Sequence, residues 1–197
     1  MKPCIVLIGI QHVGKTTLGK ALADKLGIPF FDTDLEIKRV FGRHPRYFTI
    51  DGGQAAYNRV ESAITLWLHE KFKEAEAFSA VISTGSGFCD DREGQKDLRD
   101  IGVFYDLDAG LAAGAQRILD EAVVNPDGSL SNIPSYAVHD NAKTLEDVRK
   151  SFYKTFAPKL KFYEELADVI IKLDKNSVEE NVSLILENIR PPVSKTA

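Results

Sequence analysis

The chain is most informative at first in what it lacks. Cysteine is almost absent: only Cys4 and Cys89 occur in 197 residues. With Cys4 inside an apolar run, both are expected to be small buried or half-buried thiols of a reduced protein, and a disulfide framework is excluded. No apolar stretch approaches the roughly 18 residues that can cross a bilayer. Met1-Lys2 opens on a short apolar run that Gln11 and His12 cut off, with no cleavage-like segment after it. Neither export nor membrane insertion is therefore expected, and the expected location is the cytoplasm. Basic tracts are missing as well, and the net charge is −4, which points away from nucleic acid and membrane surfaces as partners. There is no internal repeat and no shift in composition that would mark a second domain. Residues 44% hydrophobic and 27% charged suit one soluble domain with a real core. A monomer or a weak dimer is the expected state.

What is present is a phosphate-binding loop. Gly9-Ile10-Gln11-His12-Val13-Gly14-Lys15-Thr16 fits G-x-x-x-x-G-K-[ST] at every fixed position. The almost purely apolar Cys4-Ile5-Val6-Leu7-Ile8 is the expected strand feeding it, of the kind covered on both faces in a parallel sheet. Gly9 and Gly14 let the backbone turn without a side chain in the way, so that successive N–H groups can face an anion. Lys15 can reach the β- and γ-phosphates of a nucleoside triphosphate, and the Thr16 hydroxyl can ligate a bridging magnesium ion. A helix from Thr16 to about Leu26 aims its positive end at the same phosphates. The expected nucleotide contacts are Gly9, Gln11, His12, Val13, Gly14, Lys15, Thr16 and Thr17, with ATP and magnesium as cofactors. His12 either meets phosphate or faces solvent.

Beyond the loop, strands and helices alternate. Ile28–Phe31 reads as a second strand ending in Asp32-Thr33-Asp34, Ala80–Ser83 as a third running into Thr84-Gly85-Ser86-Gly87, Val103–Leu107 as a fourth and Asp168–Leu173 as a fifth. Helices are expected over 35–41, 54–75, 90–100, 109–123, 145–166 and 178–189, with 43–53 a loop or a broken helix. Tyr57, Val60, Ile64, Trp67, Leu68 and Phe72 recur at helical spacing and read as core. Residues 124–144 are turn-rich, with little periodic apolar content, and are a candidate mobile lid; 191–197 are expected to be a flexible tail. The alternation implies a three-layer α/β sandwich, a five-stranded parallel sheet with helices on both faces, in one domain over 1–190. The ends of strands one to three then converge, bringing 9–16, 32–34 and 84–87 together.

Over nearly its whole length the sequence resembles shikimate kinase, a small member of the phosphate-binding-loop kinases related to nucleoside monophosphate kinases. The likeness rests on 9–19, on Gly27-Ile28-Pro29-Phe30-Phe31-Asp32-Thr33-Asp34, on 53–61, on Thr84-Gly85-Ser86-Gly87, and on Phe162–Asp168 before the last strand. The resemblance implies transfer of the ATP γ-phosphate to a hydroxyl of a small molecule, shikimate to shikimate 3-phosphate, in aromatic amino acid biosynthesis. It implies that Asp32 holds magnesium and that Asp34 orients or deprotonates the attacking hydroxyl, although both could equally cap the helix that starts there. It further implies that Arg117 packs near the adenine, and that the turn at 174–177 wraps it or else caps the last helix. The acceptor would meet Asp34, Gly85, Ser86 and Gly87.

The chain departs from the family pattern on the acceptor side. Gln54 and Asn58 stand where the family's G-E-x-x-F-R-x-x-E has Glu and Arg, and only Glu61 stays. Asn is short and neutral where Arg grips carboxylate with two parallel hydrogen bonds, which leaves Asn58, the neighbouring Arg59, and Lys159 (at a second family arginine) as candidate acceptor contacts. Ser86 replaces the middle glycine of a triple-glycine turn, and no Arg occurs between residues 118 and 148. Two alternatives stay open: a related kinase with a different acceptor, or a catalytically weak nucleotide-binding switch. A nucleoside monophosphate kinase is disfavoured because no base-binding insertion is present.

Overall fold

The computed structural model describes residues 3–75, 77, 79–173 and 177–189; the tail at 191–197 and most of the 174–177 turn lie outside them. Five parallel strands form the central sheet: β1 (Cys4–Ile8), β2 (Phe30–Asp32), β3 (Ala80–Ser83), β4 (Gly102–Asp108) and, last in the chain, β7 (Val169–Lys172). Their spatial order is β2-β3-β1-β4-β7. All five residues of β1 are fully buried. Since neighbours along a strand point to opposite faces, both faces of the sheet are covered, which is why β1 reads as a continuous apolar run.

The helices are α1 (Lys15–Leu26), α2 (Thr33–Phe41), α3 (Pro45–Phe72), α4 (Arg92–Ile101), α5 (Gly110–Glu121), α6 (Ser135–His139), α7 (Leu145–Leu166) and α8 (Val178–Asn188). Gly27 and Gly42 close α1 and α2 with φ near +67° and +66°, conformations that favour glycine. Thr144 with Asp147 and Ser177 with Glu180 form capping boxes on α7 and α8. The 43–53 stretch resolves as a broken helix: α3 starts with Pro45 in its first turn and is interrupted at Gly52 and Gly53, the latter at φ +67° and ψ −171°.

In two places the structure departs from the sequence reading. Trp67 is not core; it is 38% exposed, lying against the edge of Phe31 with Arg39 and Lys71 each 5.8 Å from its ring centroid. The inward row of α3 is Tyr57, Glu61, Ile64, Leu68 and Phe72, and Trp67 stands about 100° round the helix from Leu68. The 124–144 stretch carries more structure than its composition suggests. Val123–Val124 (β5) pairs antiparallel with Leu130–Ser131 (β6), and α6 follows and packs on α7 and α3.

Candidate active site

The carboxyl ends of β1, β2 and β3 converge, and two cavities open side by side along that edge. One, of about 550 Å³, is lined by Gln11 to Leu18 with Asp32, Asp34, Thr84, Arg117 and Asn181 among others. The second, of about 380 Å³, takes walls from Asp34, Arg46, Gln54, Tyr57, Ser86 and Lys159, and from the 132–136 segment. Gln11, His12, Asp34, Ser86 and Glu121 line both. A group transferred between the two would pass these residues.

In the larger cavity the loop is tightly wound, with φ of +133° at Gly9, +60° at His12 and +106° at Gly14. A Cβ on Gly9 would stand 2.9 Å from the Leu107 carbonyl oxygen, so glycine is required there on two counts. Gly9 itself does not line the cavity. Lys15 Nζ donates to the Gly9 and Ile10 carbonyls, both at 2.8 Å. Burial pushes the Lys15 pKa down to about 8, against the pull of Asp34, Asp32, Asp106 and Glu61. Thr16 Oγ1 donates to Asp32 Oδ2 at 2.7 Å, while Asp32 Oδ1 accepts from the Leu35 N–H at 3.1 Å. Asp32 therefore caps α2 and faces the loop hydroxyl at once. Arg117 Nη1 donates to the His12 carbonyl at 2.6 Å. The His12 ring faces Glu121 at 3.4 Å. Its pKa is lowered chiefly by burial, with Lys15 and Arg117 adding to the effect and Glu121 opposing it.

Between the cavities stands a carboxylate network. The Tyr57 hydroxyl lies 2.8 Å from Asp34 Oδ1 and 3.1 Å from Glu61 Oε1. Glu61 Oε1 also accepts from Thr33 Oγ1 at 2.9 Å and from the Gly85 N–H at 3.0 Å, while its Oε2 is buried with no hydrogen-bond partner. Burial, with Asp34 and Asp91 nearby, raises the Glu61 pKa to about 8. Burial raises Asp34 to about 6, held there against further rise by the Tyr57 hydroxyl. Burial thus favours the protonated form more strongly at Glu61 than at Asp34, and the Tyr57 hydroxyl makes its shorter contact with Asp34. Asp106, at the end of β4 behind the loop, is also raised, to about 7, by burial and by Asp108.

Three sequence expectations on the acceptor side are corrected. Arg59 is exposed and lines neither cavity, because it falls on the outward face of α3, two residues and about 200° round the helix from Tyr57. Asn58 lines neither cavity either: its Nδ2 donates to the Asp90 carbonyl at 3.0 Å and its Oδ1 accepts from Gln54 at 2.7 Å. Gly85 turns its N–H inward to Glu61 and Thr33, and an added Cβ would stand 1.8 Å from the Tyr57 oxygen; its glycine character serves packing. Ser86, Gly87 and Lys159 do line the smaller cavity, but Lys159 Nζ is paired with Asp90 Oδ2 at 2.6 Å. In the sequence Tyr57 reads only as core, and Arg46, Asp90 and Glu121 belong to no motif. A polar ring or charged side chain repeating on the inward row of α3, as Tyr57 and Glu61 do, was the available signal.

A sequence model of the family described as shikimate kinase matches residues 12–190. The shikimate kinase of Enterococcus faecalis is 29% identical over 187 residues, covering 94% of this chain and 98% of that protein. That of Caldicellulosiruptor bescii is 36% identical over 158 residues, 76% of this chain and 80% of the relative. The solved structure of a shikimate kinase from Acinetobacter baumannii in complex with shikimate superposes with a TM-score of 0.71 over 94% of this chain and 92% of that one; at 24% identity this is a likeness of fold. The loop, the paired cavities and these matches agree: the chain belongs to the shikimate kinase family and is an ATP-dependent small-molecule kinase.

Proposed function

We propose that the protein transfers the γ-phosphate of ATP to a ring hydroxyl of shikimate, giving shikimate 3-phosphate and ADP. The observation that carries this reading is the place of Asp34, a carboxylate in the shared wall of both cavities with its pKa near 6. A base there is ionised at neutral pH yet close enough to neutrality to accept a proton. The acceptor oxygen attacks the γ-phosphorus, the bond from that phosphorus to the β,γ-bridging oxygen breaks, and the hydroxyl proton passes to Asp34. Lys15, released from the Gly9 and Ile10 carbonyls, neutralises the transferring phosphoryl group, and the loop N–H groups cradle the phosphates.

The Thr16 hydroxyl and the Asp32 carboxylate, 2.7 Å apart, are hard oxygen donors of the type magnesium takes. No group of three or more His, Cys, Asp or Glu side chains capable of holding a metal occurs among the described residues, which suits an ion bound jointly with phosphates. Magnesium held by Thr16 and Asp32 would offset the negative charge of the nucleotide's phosphates. Arg117, which donates to the His12 carbonyl at the edge of the larger cavity, would meet the nucleotide's base. The 124–144 segment, which supplies Asn132 to Tyr136 to the acceptor wall, acts as a lid that excludes water. We place the enzyme in the cytoplasm as a monomer or weak dimer without nucleic-acid or membrane partners; among the described residues no helix is long and apolar enough to cross a membrane.

The test is ADP release from magnesium-ATP with and without shikimate, alongside a separate measurement of ATP binding. Strong stimulation by shikimate is expected. ATP binding without stimulation would remove shikimate as the acceptor and favour another hydroxylated metabolite, a reading to which the Lys159–Asp90 pairing already lends some support.

A further inference from the structure

Shikimate carries a carboxylate, and on the function proposed above something must grip it in the smaller cavity. The cations lining that cavity are few, and most are already committed. Lys159 is held 2.6 Å from Asp90, and Asp90 is itself tied down through its carbonyl by Asn58, which Gln54 holds in turn. An incoming carboxylate would have to displace Asp90 or crowd beside it, and two carboxylates on one ammonium repel. The His12 ring faces Glu121. His44 Nδ1 accepts from the Arg46 backbone N–H at 3.3 Å, and its pKa is lowered by burial and by Arg46 and Lys38, so it is a neutral ring. His139 has no guanidinium fork with which to meet a carboxylate by two parallel hydrogen bonds.

Arg46 differs from all of these. It lines the cavity, its guanidinium lies 5.4 Å from the centroid of the Tyr47 ring, and no carboxylate pairs with it among the described residues. Its neighbours are committed, Arg39 to Glu36 and Arg43 to Asp51, both at 2.7 Å. The first turns of α3 present Pro45, Arg46 and Thr49 to the cavity, one face at helical spacing. These turns end at Gly52-Gly53, where an added Cβ on Gly53 would meet nothing within 4 Å. A planar guanidinium can meet a carboxylate with two parallel hydrogen bonds, which the Lys159 ammonium cannot do even when free.

We infer that Arg46, on the first turn of α3 and unpaired at the wall of the acceptor cavity, grips the acceptor's carboxylate, and that Lys159 does not, being occupied by Asp90. This rests on the shikimate reading, and the experiment separates the two. Steady-state kinetics of the full chain at saturating magnesium-ATP are measured with shikimate and with its neutral methyl ester. Arg46→Gln is expected to raise the KM for shikimate about tenfold to a hundredfold, the worth of a hydrogen-bonded charge pair. Its kcat, its KM for ATP and its thermal midpoint should stay near wild type. The KM for the ester should be the same in both proteins, Arg46→Lys should fall between, and Lys159→Met should raise the shikimate KM less than Arg46→Gln. A wild-type shikimate KM in Arg46→Gln, or equal losses on acid and ester, would overturn the role of Arg46 while leaving shikimate as substrate. Absence of shikimate turnover by the wild type would overturn both.

Discussion

Replacing Tyr57 by Phe removes one oxygen and leaves the ring that fills the core, so it isolates what the hydroxyl does for Asp34. In the folded protein that hydroxyl donates to Asp34 Oδ1 at 2.8 Å and favours the ionised carboxylate, against burial, which raises the pKa to about 6. A hydrogen bond to a charged group contributes about 1.5–3 kcal/mol. At about 1.4 kcal/mol per pKa unit, its loss should move Asp34 upward by about one to two units. The other charges facing Asp34 are Asp32, which raises its pKa, and Lys15, which lowers it; neither is touched by the change. The sign is unambiguous: a base is active when ionised, so activity is present above its pKa and lost as pH falls through it. In the wild type the acid limb of kcat/KM for shikimate should therefore lie near pH 6, and in Tyr57→Phe about one to two units higher. At pH 7 the variant should lose roughly two- to tenfold in kcat/KM, and by about pH 9 most of the loss should disappear. The assay is ADP release against pH at saturating ATP and with shikimate well below its KM. A uniform loss with the limb still near pH 6 would refute the reasoning and reduce Tyr57 to a packing residue.

Three further changes test the same network. Glu61 has a folded pKa of about 8, far above the ordinary carboxyl value, so the folded state keeps a proton that the unfolded chain has lost. Stability from this group is therefore greatest on the acid side and declines as pH rises through 8; Glu61→Gln should flatten the thermal midpoint of the free protein between pH 6 and 9, and an unchanged slope would count against a neutral Glu61. Gly85→Ala would place a Cβ 1.8 Å from the Tyr57 oxygen and 2.9 Å from Glu61 Oε1, so a loss of about 1–3 kcal/mol in denaturant unfolding is expected, partly recovered when Tyr57→Phe is added. Asp34→Asn should depress acceptor-dependent turnover by at least about a hundredfold while the Kd for ATP changes little; parallel loss of both would show that Asp34 holds the nucleotide.

The nucleotide half of this molecule is legible in one dimension because its parts are contiguous. Strand, loop and helix follow one another from Cys4 to Leu26, and the Lys15 bonds reach back only five and six residues. Glycine at 9 and 14 announces positive φ directly. The sheet order was legible only as a class, through alternation and right-handed crossovers. The kink in α3 shows as a Gly-Gly pair, but whether it broke a helix or ended a loop depended on packing with α2 and α4. Trp67 was misplaced for a related reason: helical spacing gives a face about two residues wide, and only tertiary contact decides where its edge falls.

The acceptor half is a matter of which charges are spent. Lys159 looks available in the sequence, yet the carboxylate that occupies it, Asp90, is 69 residues away. Arg59 looks like a shifted replacement for a lost arginine, yet a step of one residue on a helix turns the side chain by about 100° and carries it to solvent. Arg46 gives no signal at all in one dimension, because being unpaired is a property of the fold. Tyr57 is marked in the sequence only as a polar ring one turn from Glu61 on the inward row of α3; the approach of Asp34 from the start of α2, 23 residues earlier, is what makes its hydroxyl a device for keeping a base ionised. Chemistry carried by local backbone can be recognised by motif, whereas chemistry carried by pairing must be read from what each charged group already touches.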